Sequence, residues 1–339
     1  MSELRLLFAK GGEGFTVQPI WQGDSAGEAR PFHPFLNETD FEDLRWYLED
    51  YMDLPDGGAV VRAERVEHRL EDWGRRLFNE VFPVGFREPV NSLLADAPPR
   101  LLTVATDDTD VLRLPWELMA DGRGPLTRRG VTVRRQLESA KERTPYPVGL
   151  PLRILLIVSR PDDLGFIDPR LTTRAMLDAL APLGDDVVVD FCRPPTLARM
   201  EEMLSAAERQ GQPYHMVHFD GHGTFQPDVE LGALCFEKSQ PQTATKTEKD
   251  EVLADRLGNL LAAHNIPLVI LEACRSGQVG RKAAFRGVAT RLIGAGVGSV
   301  LSMSYAVHVE AARVLLERFY RELVSDVNIG QALEAAGPP

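Results

Sequence analysis

The chain has 339 residues, 44% of them hydrophobic, and a formal charge of −12 from 50 acidic and 38 basic residues. That length and apolar content support one large α/β domain with a smaller companion and exclude a disordered or fibrous chain. The acidic balance argues against a direct nucleic-acid partner or an anionic membrane and suits a cationic one, such as a substrate segment containing Arg or Lys.

Cys192, Cys235 and Cys274 stand 43 and 39 residues apart, which matches no CxxC metal pattern. Their odd number argues against a disulfide framework and for a reducing, cytoplasmic compartment. The start, MSELRLLFAKGGEGFTVQPIW, lacks the charged leader, apolar run and cleavage site of a signal peptide, and no 18-residue uncharged apolar stretch follows. No membrane association is expected.

In chain order, Leu4 to Phe8 and Phe15 to Trp21 flank the Gly-rich KGGEG and predict a hairpin. TDFEDLRWYLEDYM predicts a helix capped by Thr39, with Phe41, Leu44, Tyr47, Leu48 and Tyr51 on one face. A second helix is predicted from Ala63 to Phe82 on the spacing of Val66, Leu70, Trp73, Leu77 and Val81, and Pro83 stops it. Residues 1–94 thus predict a small N-terminal α+β module or an embellishment of the main domain. From Arg100 the texture is strand-like in LLTVAT, LRLPWELM and GVTVRRQ, with an acidic turn at DDTD. Trp116 is expected to pack under a sheet edge and Glu117 to anchor a loop. Residues 140–151, AKERTPYPVGLP, predict a linker.

The clearest α/β core spans 152–336. Apolar runs RILLIVS, DVVVDF, YHMVHFD, PLVILEA and VGSVLSM alternate with LTTRAMLDALAPL, TLARMEEMLSAAERQ, EVLADRLGNLLAAH and the 281–292 segment. That rhythm predicts a mainly parallel sheet covered on both faces, followed by a helix over 319–336. Polar residues 237–251 predict an exposed excursion. KGGEG and GAGVG complete neither phosphate-loop fingerprint and are explained by tight turns.

Functional groups of an open α/β sheet collect beyond the carboxyl ends of its strands. YHMVHFD runs into a predicted GHG turn and PLVILEA runs into CRSG, so His222 and Cys274 leave adjacent strand ends if those strands are neighbours. An imidazole can activate a thiolate and protonate an amine leaving group, and the backbone N–H groups of Gly223 and Cys274 are oxyanion-hole candidates. Cys192 and Cys235 lie in apolar stretches and are expected in the core. His215, His218 and His222 have a zinc-like spacing, but strand alternation sends His215 and His218 to opposite faces, and no metal site is expected.

HFDGHG and LEACRSG resemble the two signatures of the caspase-like peptidases, and in detail the bacterial CHAT branch related to caspases, metacaspases and separase. LPWELM with GPLTRRGVTVRR also resembles the opening of a CHAT domain. The resemblance covers residues 95–336 and leaves the first 90 unexplained. It implies a caspase-like three-layer sandwich with a mainly parallel central sheet, and a cofactor-free cysteine endopeptidase with His222 and Cys274 catalytic. EACRSG departs from the caspase pattern, so specificity for Asp is not carried over. Glu272 occupies the position that binds a basic P1 side chain in metacaspases, and Asp220 is a second candidate. Both also have simpler readings as capping carboxylates, and one of them could instead orient His222. If the pocket accepts Lys, then Lys238, Lys246 and Lys249 offer self-cleavage sites.

The implied partners are a protein or peptide substrate and an activating protein or fused sensory domain, as in regulated antiviral, stress or death-related proteolysis. A noncatalytic CHAT-like scaffold and another thiol-dependent amide hydrolase remain as alternatives.

Overall fold

The computed structural model describes residues 2–12, 14–51, 57–138, 149–167, 173–226, 231–239, 246–273, 281–302 and 309–325. Most of the predicted 140–151 linker and the end of the predicted C-terminal helix lie outside these residues. The chain divides into two compact units whose described parts are residues 2–138 and 149–325.

The first unit is built on one six-stranded sheet. Strands β1 (Ser2–Gly11) and β2 (Gly14–Trp21) form the antiparallel hairpin expected around KGGEG, and β3 (Asp24–Ser25) and β4 (Arg30–Phe32) pair with β2. Helices α1 (Glu38–Glu49), α2 (Gly57–Val81) and α3 (Glu88–Ala95) follow. Strand β5 (Arg100–Ala105) then pairs in parallel with β1, from Ser2↔Arg100 to Leu7↔Ala105. Helix α4 (Thr109–Leu112) and the small hairpin β6 (Ala120–Asp121) and β7 (Gly124–Pro125) lead to β8 (Val131–Gln136), parallel to β5.

Three local expectations are corrected in this unit. Asn37, not Thr39, caps α1: its side chain accepts the Asp40 N–H at 3.1 Å, while Asp40 Oδ2 accepts the Asn37 N–H at 2.9 Å. This reciprocal box satisfies two donors that the first helical turn leaves open. Phe41 and Leu44 are buried as expected, but Leu48 is 41% exposed, so the apolar face is narrower than the pattern suggested. LRLPWELM is not a strand. Residues Trp116–Leu118 form a 3-10 turn, and Trp116 is fully buried against Phe8 and Phe32, with its indole N–H donating to the Val111 carbonyl at 2.8 Å. Glu117 holds Arg135 of β8 through two hydrogen bonds, at 2.5 and 2.9 Å. Helix α2 begins at Gly57, before the predicted Ala63, and buries Val66, Trp73, Leu77 and Val81 at the predicted spacing, while Leu70 is only half-buried.

The second unit carries the predicted parallel sheet. Strands β9 (Leu152–Val158), β10 (Val187–Phe191), β11 (Met216–Gln226), β14 (Leu268–Ala273) and β15 (Ser299–Ser302) lie in the order β10-β9-β11-β14-β15, and every adjacent pair is parallel. The far end of β11 instead pairs antiparallel with β12 (Leu231–Glu237), which pairs with β13 (Lys249–Leu253). The 237–251 segment is therefore partly a strand, and Lys249 lies in it, opposite Glu237.

Helices cover the two faces in sets. Helices α6 (Leu197–Arg209), α7 (Ala254–Ala263) and α8 (Arg281–Ala295) contribute Leu197, Met200, Leu257, Leu261, Val288 and Leu292 to one core with Val217, Phe219, Val269 and Leu271 of the sheet. Helix α7 is shorter than EVLADRLGNLLAAH predicted, because Glu251–Leu253 belong to β13. Helices α5 (Thr173–Leu180) and α9 (Val309–Val324) pack together and reach the opposite face, where Thr173 meets Asp220 and Tyr320 meets His218. This is a mixed α/β fold with a mostly parallel central sheet flanked by helices. Among the described residues, no helix is long and apolar enough to cross a membrane.

Candidate active site

The strand order reverses direction between β9 and β11, the edge where open α/β sheets form a ligand crevice beyond their strand ends. His222 stands at that edge. The parallel ladders run to Asp220↔Val158 on one side of β11 and Gly221↔Ala273 on the other, and His222 is the next residue. Cys274 is the residue after Ala273 and lies outside the described residues, as does the rest of the CRSG segment. The strands carrying the two predicted catalytic residues are thus direct neighbours, which the sequence reading required.

GHG is not a turn. Residues from His222 onward stay in strand conformation because they pair with β12, His222 opposite Cys235 and Gly223 opposite Leu234. The glycine before His222 is enforced by packing: a Cβ on Gly221 would lie 2.8 Å from the Phe219 ring and 3.3 Å from the Ser159 carbonyl oxygen. His222 is only 2% exposed, and its Nε2–H donates to the Gly165 carbonyl at 2.7 Å. A carbonyl only accepts, so this bond places a proton on Nε2, and Nδ1 is the ring nitrogen that lacks one in the neutral imidazole.

The loop that supplies Gly165 runs over 159–167 after β9 and is fastened at several points. Asp162 Oδ2 accepts the Thr247 N–H at 2.6 Å and its hydroxyl at 3.1 Å, and Asp163 Oδ1 accepts the Lys249 N–H at 2.9 Å. The Arg160 guanidinium donates to the Ser159, Ile167 and Asp220 carbonyls and to Asp220 Oδ1 at 2.7 Å.

Alternation along β11 puts His218, Asp220 and His222 on one sheet face, with Glu272 beside Asp220 on β14. Asp220 is fully buried, bound by Arg160 and by the Thr173 hydroxyl at 2.7 Å. Glu272 is 6% exposed, with Oε2 3.1 Å from His218 Nε2. The other side of His218 meets the buried Tyr320 hydroxyl, whose ionisation is pushed well above its ordinary range by burial and then by the Glu272 charge. His215 is separate from this group, its Nδ1 accepting the Arg153 N–H at 3.1 Å. Cys192 and Cys235 are buried, and burial pushes the Cys192 thiol up to about 11.

The CHAT domain matches residues 73–337, most of the chain. The chain belongs to the CHAT-domain family. That places it in the caspase, metacaspase and separase superfamily. A comparison with curated proteins returned no match.

In this CHAT domain, the sequence pattern singled out His222, Asp220 and Glu272 but missed three of their neighbours. Arg160 follows the strand RILLIVS directly, and a lone cation at a strand's carboxyl end was the available signal. Tyr320 sat within a helical pattern that gave no hint of its polar contact. The Gly165 carbonyl is a backbone atom and has no signature in composition or spacing.

Proposed function

We infer that this chain is a regulated cysteine endopeptidase in which Cys274 is the nucleophile and His222 its acid/base partner, within a caspase-like three-layer sandwich. The observation carrying this reading is the register of β11 on β14, which pairs Gly221 with Ala273 immediately before the two residues. The Gly165 carbonyl supports it, because a fixed Nε2–H leaves Nδ1 to take the thiol proton.

Attack of the thiolate on the scissile carbonyl forms a tetrahedral oxyanion, to which the Gly223 and Cys274 N–H groups donate. Collapse breaks the C–N bond, and His222 protonates the departing amine. Water, deprotonated by His222, then hydrolyses the thioester and regenerates the thiol. In this reading residues 95–336 are the protease region and residues 1–94 an embellishment of it, since β5 and β8 continue the sheet that β1 and β2 begin. Protein or peptide is the substrate class, under control of an activating partner.

Glu272 is the P1 anchor and favours Arg or Lys. Its carboxylate shares a face with His222, and its hydrogen bond goes to an imidazole rather than to a permanent cation. Asp220 suits this task less well, since Arg160 already offsets its charge.

The test is cleavage of a diverse peptide library by intact, Cys274→Ala and His222→Ala proteins, with product termini read by mass spectrometry. Each substitution is expected to lower cleavage by about 10³-fold or more. Products ending in Arg or Lys that vanish in Cys274→Ala support the reading. Cleavage that survives both substitutions rejects the dyad, and no Cys274-dependent cleavage with candidate partners present favours a scaffold.

A further inference from the structure

The proposed chemistry leaves one buried polar chain unused. His218 is 0% exposed and joins Glu272 on β14 to Tyr320 on α9, at 3.1 Å on each side. An ionised carboxylate accepts but does not donate, so His218 Nε2 carries the shared proton. Tyr320 accommodates both charge states of the ring. Its hydroxyl can donate to Nδ1 of the neutral imidazole, or accept from Nδ1–H while turning its own proton to Met216 Sδ at 3.6 Å. The bond to Glu272 is therefore kept in either state.

We propose that His218 is a specificity-determining residue: by holding Oε2 of Glu272, it presents a basic P1 side chain with one available carboxylate oxygen, Oε1. This rests on the reading of Glu272 as the P1 anchor. Among the described residues, Oε1 takes no hydrogen bond. A guanidinium reaches its full strength on a carboxylate by a two-pronged bond to both oxygens, whereas an ammonium is a point charge that needs only one. Asp220 does not supply a second acceptor, because Oδ1 accepts from Arg160 and Oδ2 from Thr173, each at 2.7 Å. The site thus withholds from Arg the advantage that its fork would give and treats Lys as a comparable P1 residue. His218 touches Glu272 and not the reacting atoms, so it is a positioning residue, and its signature is the ratio between two substrates rather than the overall rate.

The experiment uses the full chain carrying Cys274→Ala, so that binding is read without turnover. Two peptides identical except for Arg or Lys at P1 are titrated by calorimetry. Without further substitution, the two dissociation constants are expected to agree within about threefold. Adding His218→Leu releases Oε2, and the preference for Arg is expected to rise by about tenfold, the worth of one charge-assisted hydrogen bond. His218→Gln keeps an N–H donor and should hold the ratio within about twofold of the parent. Where His218→Leu fails to fold, His218→Met carries the same expectation with a more adaptable side chain.

An unchanged ratio in the apolar variant, with both peptides still lost in Glu272→Gln, overturns the role of His218 and leaves Glu272 as the anchor. Binding of basic peptides that survives Glu272→Gln rejects the anchor itself, and this inference with it.

Discussion

The two sheets bury their central strands in opposite ways. In the first unit, β5 is covered by apolar neighbours: Leu101, Leu102, Val104 and Ala105 are at most 2% exposed, and the buried Thr103 hydroxyl donates to Glu3 at 2.6 Å. In the second unit, β11 gives one face to Val217 and Phe219 and the other to His218, Asp220 and His222, all at most 2% exposed. Burying ionisable groups is unfavourable unless each finds a partner, and here each does: Tyr320 and Glu272, Arg160 and Thr173, and the Gly165 carbonyl. A sheet that only has to be stable fills its centre with aliphatic side chains. A strand whose centre is polar and fully paired marks the place where chemistry is to be sought.

This contrast can be broken at several points. The largest effect should appear in thiol labelling. With its thiol near 11, only about one in 10³ Cys192 side chains is a thiolate at pH 8, before burial slows access further. Iodoacetamide at that pH should modify Cys274 and leave Cys192 unreacted until the chain unfolds, as read by peptide mass spectrometry. Rapid native labelling of Cys192 would contradict its place in the core.

Next is Arg160→Met, which removes the guanidinium 2.7 Å from the fully buried Asp220 carboxylate and should cost about 3–5 kcal/mol in urea unfolding. Restoration of much of that loss by Asp220→Asn in the same chain would identify the Asp220 charge as the cause. Leu102→Ala probes the apolar sheet and should cost about 2–5 kcal/mol, while the residual folded protein keeps its P1 preference. A changed preference would show that the first unit takes part in substrate selection. The smallest effect is Asn37→Ala, about 1 kcal/mol from loss of the α1 cap, against no change for Thr39→Ala. Equal losses at both positions would return the cap to Thr39.

The parallel sheet, the hairpin and the long helix were legible because each rests on local periodicity. Runs such as RILLIVS and PLVILEA read as strands buried on both faces, and Val66, Trp73, Leu77 and Val81 fall on one helical stripe. LRLPWELM misled for a related reason: its apolar residues are as buried as those of a strand, yet Pro115 and the Trp116 indole bond to Val111 fold them into a turn. GHG misled in the other direction, since two glycines signal a turn until β12 is there to pair with them.

The sequence by itself determined which residues carry ionisable and nucleophilic groups, and that the apolar runs leading to His222 and Cys274 are strands. The tertiary structure decided that those strands are neighbours in register, that Glu272 faces His218, that Asp220 faces Arg160, and that a backbone carbonyl 57 residues away holds the imidazole. Local pattern reports burial and alternation, which depend on a residue's own segment. Partner choice across strands depends on register and strand order, and those are fixed only when the whole sheet is assembled.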